Sequence, residues 1–168
     1  YLNTNVSVGR KLKQLLMVVS ESVPFKPVMQ KLAYVTGINR NYIQDYLTYM
    51  ERAGMIAQLR DAVGGIRGLG KTEKVYLDNT NLIYVLAPKR ADIGNVRETF
   101  FMNQMRVVGD VTCSPVSDFM MDGMTFEIGG RKKGQKQISE VKDGYVVKDD
   151  IETGYANVIP LWAFGLMY

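Results

Sequence analysis

Ser117-Asp118-Phe119-Met120-Met121-Asp122-Gly123-Met124-Thr125-Phe126-Glu127-Ile128 decides how the second half of this chain is built. Asp-Gly between two apolar runs is the strongest short signal for a two-residue hairpin, because both turn positions need a positive φ. With Asp122 and Gly123 in the turn, Met121 faces Met124 and Met120 faces Thr125. Phe119 then faces Phe126, and Asp118 faces Glu127. The phenylalanines pair on one face, and the two carboxylates share a depth on the other. Like charges opposed on neighbouring strands destabilise a sheet. The arrangement therefore asks for a cation between the acids, or for good solvation of both.

Just upstream, Ile93-Gly94-Asn95-Val96-Arg97-Glu98-Thr99-Phe100-Phe101 opens a helix with Val96, Phe100, Phe101 and Met105 as its inner face. A helical glutamate followed by a paired Asp and Glu is the acid set of one class of divalent-metal nucleases. Asp118 and Glu127 are its candidate Mg or Mn ligands, and Glu98 is the third acid. The plain alternative for Glu98 is an exposed acid near a positive helix N-terminus. Such a nuclease also needs a lysine two residues after the second acid, on the same face of the strand, to steady developing charge. That place is Gly129. Lys132, as a displaced helper, and Lys133 lie in the loop Gly129-Gly130-Arg131-Lys132-Lys133-Gly134, whose plain reading is a solvated turn. Beyond it, Gln135 to Ile138 reads as the start of a helix, Tyr145 to Lys148 as a buried strand, and Val158 to Phe164 as apolar closure. Together these predict a small α/β layer domain over residues 79–168.

The first half reads differently. Leu12, Leu15, Leu16 and Val19 recur at helical spacing between Val8 and Ser22, and Pro24 and Pro27 then break the helix. A second helix runs from about Val28 to Val35 and ends at Thr36-Gly37. Asn39 caps a third, which runs to Ala53 with Ile43, Tyr46, Leu47 and Met50 inward. Two short helices across a tight turn, then strand, glycine-rich loop and strand, predict a winged helix-turn-helix over residues 1–78. Its candidate nucleic-acid contacts are Asn41, Gln44 and Arg52 on the outer face of the third helix, with Arg60, Arg67 and Lys71 on the wing. Asp45, in the middle of that face, opposes phosphate. The fold class is thus α+β or α/β, in two successive units.

Gly65-Ile66-Arg67-Gly68-Leu69-Gly70-Lys71-Thr72 matches G-x-x-x-x-G-K-[ST] letter for letter. Phosphate binding by that motif needs a helix N-terminus directly after it. Here Glu73-Lys74-Val75-Tyr76-Leu77 follows, which favours a strand. The match reads as a hairpin tip, and no nucleotide site is assigned to it.

Composition narrows the function further. The chain has 168 residues, 46% apolar and 23% charged, which excludes a disordered tail, a collagen-like fibre and a disulfide scaffold. No histidine is present, so imidazole-based triads and zinc sites are excluded for this chain acting alone. The single cysteine, Cys113, reads as a small buried apolar residue in a reducing cytoplasm. The longest nearly uncharged apolar stretch, Ala156 to Tyr168, is too short to span a bilayer. The net charge of +4 is uneven, with 11 Lys and Arg against 6 Asp and Glu before residue 79, and 10 against 11 after it. An anionic partner, if there is one, is expected at the first half. The chain starts at Tyr1 with no targeting segment and reads as part of something longer.

Thr36-Gly37-Ile38-Asn39-Arg40-Asn41, Tyr46-Leu47, Glu51-Arg52-Ala53-Gly54-Met55-Ile56, Lys74-Val75-Tyr76-Leu77-Asp78-Asn79, Ile93-Gly94-Asn95-Val96-Arg97-Glu98-Thr99-Phe100 and Asp118-Phe119 follow one another along nearly the whole chain. In this order they resemble the C-terminal half of prokaryotic AAA+-type ATPases of unknown cellular role. The resemblance implies a winged helix followed by a restriction-endonuclease-like domain, with ATP and Mg bound only by an upstream ATPase domain. It also implies that Glu98, Asp118 and Glu127 stand at the family's acidic positions. Many members have Glu-x-Lys where this chain has Glu127-Ile128-Gly129. The expected role is a non-catalytic accessory region with no cofactor of its own. Its partners would be the ATPase core, and duplex DNA or another protein, with no membrane. The alternatives are a metal-dependent nuclease and a winged-helix DNA-binding regulator.

Overall fold

The chain is described by a computed structural model over residues 2–61 and 71–167. Three helices come first: α1 (Leu2–Ser20), α2 (Met29–Thr36) and α3 (Arg40–Arg52). α1 starts earlier than its apolar spacing suggests and stops two residues sooner. Gly37, at φ 64°, supplies the left-handed residue that ends α2. The Asn39 side chain accepts from the backbone N–H of Asn41 and starts α3. An antiparallel pair follows, β1 (Ile56–Arg60) with β2 (Thr72–Leu77).

Asn79 caps α4 (Thr80–Leu86), and Asp92, by accepting from Gly94 and Asn95, caps α5 (Ile93–Val108). Then come β3 (Thr112–Cys113), β4 (Phe119–Met121), β5 (Met124–Gly129), β6 (Gly144–Lys148) and β7 (Val158–Pro160), with a final 3-10 turn over Leu161–Leu166. All seven strands form one mixed sheet in the order β2-β1-β3-β4-β5-β6-β7. β3, β4 and β5 are antiparallel neighbours, whereas β5, β6 and β7 run parallel. The sheet crosses from the first half to the second at one parallel pairing, Arg60 with Thr112.

Two cores use opposite faces of this sheet. On one, Leu15, Val19, Leu32, Ile43, Leu47 and Met50 of the helices pack on Ile56, Val75 and Leu77. On the other, α5 packs Phe101, Met102 and Met105 against Leu59, Tyr76, Phe119, Phe126, Ile128 and Val147. Phe101 is the hub, with ring centroids 5.0 Å from Phe119, 5.2 Å from Phe126 and 4.9 Å from Phe164. Burying such a ring contributes about 2–3 kcal/mol.

Two expectations are corrected. The inner face of α5 includes Thr99 and Met102, while Phe100 is only partly buried and Val96 packs on the other core. Residues 135–138 form turns rather than a helix, closed by Ile138 N–H on Gln135 O and Val141 N–H on Ile138 O. Ile138 is the one residue there that must be buried, against Val146 and Val158, and a turn suffices to place it. Among the described residues, no helix is long and apolar enough to cross a membrane.

Candidate functional site

The hairpin has the register its Asp-Gly turn demands: Met121 pairs with Met124, Met120 with Thr125 and Phe119 with Phe126. Asp122 and Gly123 both have positive φ, 50° and 82°. Glu127 is then carried by β5 into the sheet, where it is 1% exposed. One of its oxygens accepts from Ser117 Oγ at 2.5 Å, and the other meets the ammonium of Lys133. Asp118 lies one residue ahead of β4, and its Oδ2 accepts from the backbone N–H of Ile128 at 2.9 Å.

Glu98 reaches the same region from α5. Its Oε2 accepts from the Tyr76 hydroxyl at 2.9 Å and pairs with Lys74 Nζ at 3.2 Å. The Lys74 ammonium also lies 3.6 Å from Asp118 Oδ1. The three acids singled out from the sequence are thus brought to one region, and two lysines flank them. Lys133 is the lysine of the basic loop that meets Glu127, whereas Lys132 is exposed. Its chain folds back over β5 because Gly129 has no side chain: a Cβ there would lie 2.5 Å from Lys133 Cγ. Lys74 and Tyr76 were not singled out. Their signal was faint: a lysine and a tyrosine alternating with Val75 and Leu77 along β2.

The electrostatics follow from burial. Asp118 is pushed up to about 6, first by burial and then by the field of Glu98, with Glu127 adding to it. The bond from Ile128 N–H and the charge of Lys74 act the other way. Burial alone would lower Lys74, but Glu98 and Asp118 outweigh it and raise it, so the group stays an ammonium. The Tyr76 hydroxyl is pushed far up by burial and by Glu98, and remains a donor. A divalent metal needs carboxylate oxygens free to close on it at about 2.0–2.6 Å. Here each acid already holds a donor from the protein, and no three His, Cys, Asp or Glu side chains among the described residues are grouped to hold a metal. Lys74 and Lys133 stand at the carboxylate oxygens that such an ion would take.

Beside this row, a cleft of about 340 Å³ is lined by Phe25, Lys26, Glu73, Lys74, Glu98 and Cys113. Cys113 is half-buried, and burial pushes its thiol up, away from the reactive thiolate.

A second, larger cleft of about 720 Å³ lies between α3 and the β1–β2 pair. It gathers Gln44, Arg52, Arg60 and Lys71, four of the six candidate nucleic-acid contacts. Asn41 is exposed at the start of α3 outside this lining, and Arg67 lies outside the described residues. At the edge of the cleft, Lys71 and Thr72 lead into β2, so a strand follows the phosphate-loop-like run; Gly65 to Gly70 lie outside the described residues. The floor is a polar network that sequence reasoning missed. Glu51 accepts from the backbone N–H and the amide of Gln58 and pairs with Arg60 at 2.6 Å. Gln58, 3% exposed, accepts from Gln44 and Thr72 through its amide oxygen. A buried polar residue between Ala57 and Leu59 was the signal available for it.

Comparison with protein-family models, with curated proteins and with solved structures found no match to this chain.

Proposed function

We propose that this chain is a non-catalytic accessory region of an AAA+-type ATPase, working in the cytoplasm, that binds duplex DNA or a partner protein and governs the ATPase core. In this reading α1–α3 with β1 and β2 form a winged helix, and α5 with β3–β7 a restriction-endonuclease-like unit that has lost its chemistry. ATP and Mg belong to the upstream ATPase domain. The observation that carries the reading is that the chain's own Lys74 stands between Glu98 and Asp118, where a metal would lie. Acids held this way are spent on structure. The cleft holding Arg52, Arg60 and Lys71 supports binding to a phosphate backbone at the first half.

The second reading is a divalent-metal nuclease using Glu98, Asp118 and Glu127. Lys133, laid across Gly129 with its ammonium at Glu127, favours it by supplying the charge that the strand position lacks. One experiment separates the two. Labelled duplex DNA is titrated with the chain in the presence of Mn²⁺, followed by fluorescence anisotropy, and the end point is run on a gel. Salt-sensitive binding with intact DNA supports the accessory module. Shortened DNA supports the nuclease, and a flat titration moves the binding role to a protein partner.

A further inference from the structure

Four polar residues on one side of α5 each bond to the first half of the chain. Asn95 Nδ2 donates to Val23 O at 3.0 Å, and Glu98 takes Tyr76 and Lys74. Asn103 Nδ2 donates to Asp78 O at 2.7 Å, and Arg106 pairs with the Asp78 carboxylate at 2.7 Å. Glu98 therefore belongs, by its place on the helix, to a stripe whose other three members serve docking. Lys74 sits on β2, whose opposite face packs on α1–α3. Its ammonium reaches α5 through Glu98 and the start of β4 through Asp118.

We infer that the Lys74 ammonium takes the place of a divalent cation between Glu98 and Asp118, so that this acid pair is a joint between the two halves of the chain and not a metal centre. The inference rests on the non-catalytic reading of the acid set. Two partly desolvated carboxylates that share one neighbour need that neighbour to carry a positive charge. A lysine anchored on a neighbouring strand supplies it permanently, and fixes three elements with one group. A divalent ion bridging Glu98 Oε2 and Asp118 Oδ1 would have to expel that ammonium, since both would need the same oxygens. Removing the lysine should leave the acids with a vacant cation position.

Mn²⁺ is titrated into the wild-type chain, K74M and K74M/D118N, with free Mn²⁺ read from its paramagnetic resonance signal and folding from circular dichroism. Wild type is expected to leave Mn²⁺ free where K74M takes up one equivalent, at least about tenfold tighter, and D118N in the K74M background should abolish uptake. Uptake by wild type equal to that of K74M would overturn the inference, as would a folded K74M that takes up none. Should K74M not fold alone, refolding by Mn²⁺ supports the inference and failure to refold overturns it. DNA shortened by the wild-type chain defeats the non-catalytic reading. Mn²⁺ uptake by wild type with intact DNA defeats only this inference.

Discussion

The side chain of Lys133 lies across Gly129, so closely that a Cβ at 129 would sit 2.5 to 2.7 Å from three of its carbons. The glycine is what lets a loop lysine reach a carboxylate buried in β5. G129A is therefore expected to displace Lys133 from Glu127 and to destabilise the fold by about 1–3 kcal/mol. K133M should cost about 3 kcal/mol by leaving Glu127 buried without its cation. Urea unfolding of the double mutant checks the relationship: the two costs should fall short of additive, because K133M has already removed the ion pair that G129A disrupts.

Asp118 titrates near 6 in the folded chain against an ordinary 3.8. An acid raised on folding holds its proton more tightly in the native state between those values. Its contribution to stability is thus fully present below about pH 4 and lost as pH rises through about 6, a loss of about 1–3 kcal/mol. Unfolding free energies at pH 5 and pH 7 should show wild type losing stability over that interval, and D118N losing less.

Arg52 and Lys71 line the larger cleft, while Arg60 beside them is held by Glu51. R52A and K71A should each weaken binding of duplex DNA without regard to sequence, and each should reduce the salt slope by about 1. E51A acts through the fold instead. It strips partners from Arg60 and the buried Gln58, and should cost about 1–3 kcal/mol of stability. Anisotropy titrations at several salt concentrations, with melting curves alongside, separate the two effects.

Phe101 meets Phe119, Phe126 and Phe164 at the centre of the α5 core. F101A should destabilise by about 3–5 kcal/mol, while F101L, keeping most of the volume, should cost less than about 1.5 kcal/mol. A chain in which F101A cost no more than F101L would not have this aromatic hub.

Much of the local structure was legible because its causes are local. Asp122-Gly123 specifies its turn and hence the hairpin register, and Asn39 caps the helix that follows it. A strand was expected on either side of the glycine-rich loop, and β1 and β2 stand there. The hairpin register also put Asp118 and Glu127 at neighbouring depths, whereas Glu98 joins Asp118 only through Lys74 of β2. Their partners were not legible. Lys74 lies 44 residues from Asp118 in the chain, and no periodicity links them. Residues 135–138 form turns where a helix was expected because so short a run fits either, and the burial of Ile138 needs only a turn.

By itself, then, the sequence determined the elements, the hairpin register and the inventory of charges. Tertiary structure decided which charges meet. It laid β2 beside α5 so that Lys74 falls between two carboxylates, and folded the loop after β5 over Gly129 so that Lys133 reaches the third. Hydrogen bonds and turns act over a few residues of chain, whereas the neutralisation of a buried acid depends on distance in space and on exclusion from water, which exist only once the sheet is assembled.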